Sequence, residues 1–547
     1  MWTLTLLIAL QVVPTQPPPP GPPGTAILRG HVFAGDTGQP LRKAQVRILA
    51  NEIRENRTTT TDESGVYEFK ELRAGRYIVS ASKGSYVGVS YGQVRPTDAP
   101  KLLDILNNQL VERVDLSLPR GSVVRGRVVD EFGEPASEVQ IATERYQFMQ
   151  GQRRLVPAGR TVTTNDIGEF RLFGIPPGQY YLTARWRNPN GMIPSGSAND
   201  RTAYAPLYFP GTVNVTEAQR ITLAAGQELA DVVMVLQPTR ASRVSGTVLG
   251  VDGKPLTPGM LMVAQTNVGF GMSMAGTAQI RPDGTFTVTG LAPGTYMLRV
   301  QRMGGPGEGP ETAMATVTTT GDDISNLTLI AAKPSNLSGR VVVDPSAISA
   351  LPPVLMIGVF PAEQTGIPAP PPPPVRVAED FTFETKAPPG RMRLTLGGMG
   401  PPPAGWAVKS VRVNGVDVTD AGIDFRPNED ISGVELELTN KLTAISGGVT
   451  NSHGETAKDY TAIAFSQDKE KWTGAPRYQS TGRPDQEGRF KITGLPPGDY
   501  YMVAVDRVEP GQWADPEFLE SIRTSAMSMS LAEGETKALT LRMTNVR

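Results

Sequence analysis

Residues 488–504 (GRFKITGLPPGDYYMVA) decide the fold of this chain, because near-copies of this stretch recur along it. The copies are residues 168–184 (GEFRLFGIPPGQYYLTA), 284–300 (GTFTVTGLAPGTYMLRV) and 65–81 (GVYEFKELRAGRYIVSA). These four align without a gap. A fifth version, residues 380–396, keeps the apolar alternation and the Pro389-Gly390 pair but has one extra residue before the turn and no Tyr. Such repetition predicts a series of similar small units.

Each repeat has the pattern of a strand, a turn and a second strand. Phe490 and Ile492 alternate with polar residues, as a half-buried strand requires. Pro497-Gly498 then predicts a type II turn at which the chain reverses. Tyr500 resumes the alternation, so its ring is expected in the core with its hydroxyl bonded to the backbone. Because the Tyr recurs in four copies at one place, a structural role is favoured over a functional one.

Length and composition predict an all-β protein of several domains. With 547 residues the chain is too long for one core, and the repeats begin about 95 to 120 residues apart. Its 58 Gly and 49 Pro suit many short strands joined by turns. We therefore predict a tandem array of five small antiparallel β-sandwiches. One short helix is expected in the last domain, where Asp515 can cap it and Pro516 suits its first turn.

The repeats also set the predicted domain boundaries. The segments are 1–26 (a signal-like segment and Pro-rich spacer), 27–119, 120–238 with a long insertion at 185–215, 239–333, 334–440 (a degenerate copy) and 441–547. Each domain opens with a strand that contains a glycine; these glycines are Gly30, Gly126, Gly246, Gly339 and Gly447. Glycine weakens a strand unless a bulge or a close backbone approach requires it, so its recurrence predicts a shared geometric constraint.

Charge and cysteine content exclude several classes of protein. The 53 basic and 54 acidic residues nearly balance, so we expect no nucleic acid partner. The absence of cysteine excludes disulfides and cysteine-based chemistry. An apolar run at residues 4–13, followed by the Pro-rich spacer, resembles a secretory signal and is too short for a membrane span. We expect a secreted, periplasmic or cell-envelope protein without a membrane span.

Together, several motifs resemble one known family. These are the G-x-V opening strand, the G-x-P turn, the D-x-x-G-x-F strand, the L-x-P-G-x-Y turn and the closing strand pair. They resemble the carboxypeptidase regulatory-like domain over nearly all of the chain after the spacer. This resemblance implies transthyretin-like (prealbumin-like) or immunoglobulin-like sandwiches, grouped with carbohydrate-binding-like folds. Because the matching residues are turn and core residues, the resemblance specifies the fold better than the function.

The sequence contains no recognisable catalytic constellation. His31 and His453 lie in different predicted domains, and neither begins the H-x-x-E motif of the zinc proteases to which the family's namesake domain is attached. No two carboxylates are marked as facing one cleft, as glycoside hydrolysis would need. Residues 413–425 carry oxygens suited to calcium, but their spacing favours a hairpin. We therefore predict a protein that is not an enzyme, with no cofactor and no metal.

Aromatic residues are the best candidates for binding, because flat sugar faces stack on exposed rings. The candidates are Trp186, Tyr204, Tyr208, Phe209, Trp472 and Trp513. Such rings can instead pack as lids on their own domain or seal the joint between neighbours. The predicted function is non-enzymatic binding of a polysaccharide or a cell-envelope protein through loops. The alternatives are a structural spacer or assembly scaffold of a cell-envelope complex, and a hydrolase with an unrecognised carboxylate site.

Overall fold

The computed structural model describes most of the chain after the spacer. It describes residues 24–546 apart from 51–52, 54, 94, 96–97, 99, 150–151, 187–201, 257–258, 267–272, 303–309, 363–371, 398–401, 428 and 474–475. The signal-like run at 4–13 and much of the predicted insertion therefore lie outside the described residues. Among the described residues, no helix is long and apolar enough to cross a membrane.

The strands fall into five consecutive groups, which we name sandwich 1 to sandwich 5. Sandwich 1 contains β1 (Ala26–Ala34), β2 (Gln45–Ala50), β3 (Glu55–Thr60), β4 (Val66–Leu72), β5 (Gly75–Ser82), β6 (Val89–Ser90), β7 (Leu103–Ile105), β8 (Leu110–Val111) and β9 (Leu116–Leu118). Sandwich 2 contains β10 (Ser122–Val129), β11 (Val139–Met149), β12 (Gln152–Thr163), β13 (Glu169–Ile175), β14 (Gly178–Trp186), β15 (Thr202–Tyr204), β16 (Leu207–Tyr208), β17 (Ile221–Leu223) and β18 (Glu228–Val235). The short strand β19 (Pro238–Arg240) links it to sandwich 3.

The remaining strands form the second half of the array. Sandwich 3 contains β20 (Ser242–Leu249), β21 (Met260–Gln265), β22 (Ser273–Gln279), β23 (Thr285–Leu291), β24 (Gly294–Arg302), β25 (Glu311–Thr319) and β26 (Ile324–Ile330). Sandwich 4 contains β27 (Ser335–Val343), β28 (Met356–Pro361), β29 (Val375–Arg376), β30 (Thr382–Ala387), β31 (Gly390–Leu396), β32 (Ala407–Val413), β33 (Val416–Asp417), β34 (Ile423–Phe425) and β35 (Ile431–Thr439). Sandwich 5 contains β36 (Ala444–Thr450), β37 (Thr461–Ser466), β38 (Gln479–Gly482), β39 (Arg489–Thr493), β40 (Gly498–Val505), β41 (Met527–Leu531), β42 (Thr536–Thr544) and the helix α1 (Pro516–Arg523). Short 3₁₀ helices cover Val215–Glu217, Pro345–Ala350, Lys469–Trp472, Pro476–Tyr478 and Gln512–Ala514.

The sheets confirm the predicted all-β fold of small sandwiches. They also show a feature that was not predicted, which is parallel pairing of the opening and closing strands. In sandwich 2 the order β13-β10-β18 forms one sheet and β12-β11-β14-β16 the other. Sandwich 3 repeats this plan as β23-β20-β26 and β22-β21-β24-β25. The opening and closing strands pair in parallel, although most other neighbours are antiparallel. Strands of both sheets contribute to one buried core, as Val124, Leu172 and Leu182 do in sandwich 2. The exact domain boundaries stay predictions.

The repeated unit does not form the reversing hairpin that its Pro-Gly pair predicts. Strand β39 pairs with β36, whereas β40 pairs with β37. The two strands of the repeat therefore have different partners. Gly498 has a φ of 153°, far from the value near +80° of a type II turn. The predicted turn is therefore wrong. The Pro-Gly segment therefore connects two strands that do not pair with each other.

A left-handed residue instead occupies the seventh position of the four gapless repeats. Gly174, Gly290 and Gly494 have φ values of 73°, 75° and 81°. In sandwich 1 the same position is occupied by Glu71, with a φ of 58°. The pairing register shifts there, from Leu28 opposite Phe69 to Ala26 opposite Leu72, which marks a β-bulge. Sandwich 1 therefore has Glu71 at the position where sandwiches 2, 3 and 5 have glycine.

Glu71→Gly is expected to stabilise sandwich 1 by about 1 kcal/mol, because it removes a non-glycine residue from the left-handed region. Gly494→Ala is the converse change and is expected to cost about 1 kcal/mol. A Cβ at residue 494 would meet no atom within 4 Å, so its cost reports the backbone alone. Urea unfolding, with hydrogen exchange to assign each transition to a sandwich, measures both. Equal stability of both variants and the wild type would show that φ at this bulge has no energetic consequence.

The repeated Tyr has the structural role that its recurrence predicts. The hydroxyl of Tyr500 donates to the carbonyl oxygen of Pro496 at 2.7 Å, and that of Tyr180 to Pro176 at 2.7 Å. Tyr296 repeats this contact with Ala292, and Tyr77 with Arg73. All four rings are buried. A buried hydroxyl that bonds a carbonyl four residues earlier fixes the corner between the two layers.

The predicted constraint on the opening strands is a close backbone approach. A Cβ on Gly126 would lie 1.9 Å from the carbonyl oxygen of Val232, and one on Gly246 would lie 1.9 Å from that of Leu327. The corresponding distances at Gly30, Gly339 and Gly447 are 2.0, 2.3 and 1.8 Å. In every sandwich the backbone of the closing segment therefore approaches the glycine too closely for a side chain, which confirms the predicted reason for its recurrence.

The helix of sandwich 5 forms as the sequence predicts. The Asp515 carboxylate accepts hydrogen bonds from the backbone N–H groups of Glu517 and Phe518, at 3.3 and 3.2 Å. The apolar face of α1 is buried in a cluster with Phe465 and Val503 of the sheet. The helix therefore covers one sheet face.

Neighbouring sandwiches contact one another. Between sandwiches 4 and 5, the Asp420 carboxylate lies 2.7 Å from the Arg477 guanidinium and accepts from the Tyr478 hydroxyl at 3.0 Å. Sandwich 5 also meets sandwich 1, because Lys101 donates to the carbonyl oxygen of Lys458. Sandwiches 1 and 5 are therefore in contact, although they are the first and last of the array.

Candidate functional site

The one exposed ring among the candidate aromatic residues that the structure describes, Trp186, lies in sandwich 2 in contact with a second candidate, Tyr204. Trp186 ends β14 and is 43% exposed. The ring of Tyr204 packs edge to face on it, with the ring centroids 6.1 Å apart. The Tyr204 hydroxyl donates to a carboxylate oxygen of Glu131 at 3.0 Å. The structure thus joins an exposed indole, a phenol and an exposed carboxylate, which we name the aromatic platform (Glu131, Trp186 and Tyr204).

The platform is held in place by the linker to sandwich 3. Strand β15, which carries Tyr204, pairs with β19 of the linker. The Thr239 hydroxyl donates to the carbonyl oxygen of Ala203 at 3.0 Å. Ala203 is buried against Ala241 and Ala292, and Ala292 belongs to sandwich 3. The platform therefore lies at the joint between two sandwiches on paired strands, although the sequence suggested a free loop.

Two other candidates of sandwich 2 point away from solvent. Tyr208 pairs with Thr183 of β14 and is buried in a cluster with Leu155 and Tyr181. Phe209 packs against the core. A ring that is packed on its own domain cannot offer its face to a sugar. Tyr208 and Phe209 are thus lids of the kind that the sequence analysis named as the alternative.

The candidates of sandwich 5 are also packing residues. Trp472 is 4% exposed, and its indole N–H donates to the carbonyl oxygen of Ser466 at 2.7 Å. Its ring lies 5.6 Å from that of Phe465. Trp513 is half-buried against the same cluster beneath α1. Sequence reasoning could not separate these from Trp186, because burial depends on a helix that folds over them.

A buried ion pair behind the platform was missed by the sequence analysis. The Glu144 side chain of β11 is fully buried, and one carboxylate oxygen lies 2.5 Å from the Arg185 guanidinium of β14. Burial raises the pKa of Glu144, although the charge of Arg185 opposes that shift. Burial likewise raises the pKa of the neighbouring Tyr208. The two charged residues are 41 positions apart, so no local signal in the sequence could have paired them.

The described residues contain no cluster suited to a metal ion. Nowhere among them do three or more His, Cys, Asp or Glu side chains come together. His31 interacts with Asp115 at 3.2 Å in sandwich 1, whereas His453 lies in a turn of sandwich 5. In the segment 413–425, for which the sequence favours a hairpin over a calcium site, Asp417 accepts from Thr419 and Asp420 pairs with Arg477. These carboxylates are engaged in contacts that hold turns and joints together.

Comparison with known proteins identifies one family in part of the chain. Residues 27–105 match the family model of the carboxypeptidase regulatory-like domain. This match confirms the resemblance within sandwich 1. No curated protein matches the chain.

Solved structures align with the chain at low similarity. A streptococcal ancillary pilin is 17% identical, with 56% of this chain and 98% of the pilin covered and a TM-score of 0.20. The TIE protein of Bacillus anthracis is 11% identical over 76% of this chain and 73% of its own, with a TM-score of 0.14. The minor pilin of Streptococcus agalactiae is 15% identical over 39% of this chain and 96% of its own, with a TM-score of 0.19.

Proposed function

We propose that this chain is an exported, non-enzymatic binding protein whose aromatic platform holds a carbohydrate. One observation supports the proposal most strongly. Trp186 keeps an exposed ring that is braced by Tyr204, beside the acceptor carboxylate of Glu131. An indole face can stack on the C–H face of a sugar ring, and a carboxylate can accept bonds from its hydroxyls. Export rests on the apolar run at residues 4–13, which lies outside the described residues.

The platform is suited to binding without turnover. Glycoside hydrolysis needs two carboxyl groups on opposite sides of the bond that breaks. The aromatic platform contains only one carboxylate, that of Glu131, and the Glu144 carboxylate is buried beside Arg185. Among the described residues of the platform, a bound sugar would therefore meet a stacking surface and one hydrogen-bond acceptor, an arrangement suited to holding it.

Trp186→Ala is expected to weaken sugar binding at least about ten-fold, because it removes the stacking face. The measurement is a glycan array of cell-wall and plant polysaccharides, followed by titration calorimetry with the best ligand. Tyr204→Phe keeps the ring and loses the bond to Glu131, so a smaller loss is expected. Trp513→Ala is the matched control and should leave the affinity unchanged.

Two outcomes would contradict the carbohydrate proposal. One is a wild-type protein that binds no sugar at millimolar concentration, and the other is a Trp186→Ala variant with unchanged affinity.

A second candidate function, an assembly scaffold of the cell envelope, is favoured by the charged joint between sandwiches 4 and 5. There Lys409 lies 3.1 Å from Glu437 and 3.3 Å from Glu533. Failure to bind sugar, together with cross-linking of the full chain to envelope proteins, would favour the scaffold.

A further inference from the structure

The five sandwiches differ in what lies along the outer edge of the closing strand. In sandwich 4 the extra strand β32 runs antiparallel to the closing strand β35. In sandwich 2 the closing strand β18 is the last of its sheet, and no strand among the described residues pairs with its outer edge. An unpaired edge presents a row of backbone N–H and C=O groups that can accept another strand. The outer edge of β18 can therefore accept a further strand, whereas that of β35 is already paired with β32.

The two edges have the same backbone geometry. Both closing strands run parallel to the opening strand, with Val434 opposite Gly339 and Val232 opposite Gly126. Each has a left-handed residue immediately before that point, Gly433 with a φ of 71° and Asp231 with a φ of 60°. Sandwich 4 thus shows, within the same chain, that an edge of this shape accepts an antiparallel strand.

The side chains that flank the two edges differ in chemistry. On the outer face of β35, Glu435 lies opposite Arg412 of β32. The Glu437 carboxylate is paired with the Lys409 ammonium of the same strand. Aligning the strands on their left-handed residues places Val233 and Val235 of β18 at these two positions, 40% and 44% exposed. The other closing strands have Asp115 and Ser117 in sandwich 1, and Thr328 and Ile330 in sandwich 3. Sandwich 2 is therefore the one with two exposed β-branched apolar residues at this edge.

We propose that the outer edge of β18 pairs antiparallel with the same edge of a second copy of this chain. Self-pairing across a two-fold axis brings like residues together. For β35 it would oppose two acidic residues, whereas for β18 it joins valines, which are favourable cross-strand partners. Pairing centred on Val233 would also set Asp231 opposite Val235 of the other copy, so the acidic residues do not meet. A single strand pair is a small interface, so the dimer is weak and forms at high protein concentration.

Sedimentation velocity of the full chain over a wide concentration range tests the proposal. The wild type is expected to shift from monomer to dimer as concentration rises. The single variants Val233→Lys and Val233→Glu should stay monomeric at every concentration, because each places like charges directly opposite one another across the axis. Val251→Lys, at a residue that is 39% exposed in a turn of sandwich 3, is the control and should still dimerise. A wild type that stays monomeric, or dimers abolished by Ile330→Lys but not by the valine changes, would overturn the proposal.

Disulfide trapping supplies a test that is independent of added charge. The chain has no cysteine, so a single introduced thiol reacts only with the second copy. Directly opposed residues of antiparallel strands have Cα atoms about 4.5–5.5 Å apart, which suits a disulfide. Mild oxidation should therefore link Val233→Cys into a dimer many times faster than Val251→Cys. Equal rates for the two variants would contradict pairing through β18.

Discussion

Gly447→Ala is expected to lower the free energy of unfolding of sandwich 5 by at least about 3 kcal/mol. The added Cβ would lie 1.8 Å from the carbonyl oxygen of Leu539, and backbone atoms cannot move aside as the end of a side chain can. Gly447 also pairs directly with Leu539 in the parallel register of β36 and β42. Relief of the clash would separate the opening strand from the closing strand.

The next residue supplies a matched control for this change. Gly448 lies in the same strand, yet a Cβ there would meet no atom within 4 Å. Gly448→Ala should therefore change stability by no more than about 0.5 kcal/mol. Urea unfolding of both variants, with hydrogen exchange to assign the transition to sandwich 5, measures the two losses. Similar losses in both variants would show that the close approach is not the reason for the glycine.

Arg185→Met is expected to destabilise sandwich 2 by about 3–5 kcal/mol, because it leaves the Glu144 carboxylate buried without its partner. A methionine can fill much of the volume of the arginine stem, so the loss reports mainly the charge. The double variant Glu144→Gln, Arg185→Met should recover part of that loss, because no buried charge is left. Urea unfolding of the wild type, the two single variants and the double variant completes the cycle.

The loss caused by Arg185→Met should depend on pH in one direction. Burial raises the pKa of Glu144 in the folded protein above its ordinary value, and removal of Arg185 raises it further. A carboxyl with a raised pKa in the folded state stabilises the fold below its unfolded pKa and loses that effect as pH rises through the folded pKa. The variant should therefore be less impaired at about pH 5 than at about pH 8. The opposite trend would show that Glu144 is not the group responsible.

A surface pair of the same sandwich is the control for the buried one. Arg125 and Glu228 are 2.6 Å apart, but both side chains are about half exposed. Arg125→Met is expected to cost less than about 1 kcal/mol, since water and salt screen exposed pairs. If it costs as much as Arg185→Met, burial does not account for the strength of the Glu144 pair.

Only part of the candidate site could be predicted from the sequence. Aromatic composition marked the insertion of sandwich 2 and drew attention to Trp186 and Tyr204. It gave equal weight to Trp472 and Tyr208, which the fold buries. The neighbour that matters to Tyr204 is Glu131, 73 positions earlier. Contacts at such separations depend on how strands from different repeats are placed, and a single sequence carries no local trace of them.

The sequence by itself determined the properties that neighbouring residues impose on one another. Alternation of period two set the strands, Asp515 set the start of the helix, and the recurrent Gly126 and Tyr180 required a close backbone approach and a buried hydroxyl bond. Only the tertiary structure decided that the two strands of each repeat have different partners, that opening and closing strands run parallel, and that Glu144 meets Arg185. Backbone preferences and side-chain alternation act over a few residues, whereas strand partners and burial are set by packing between segments tens of residues apart.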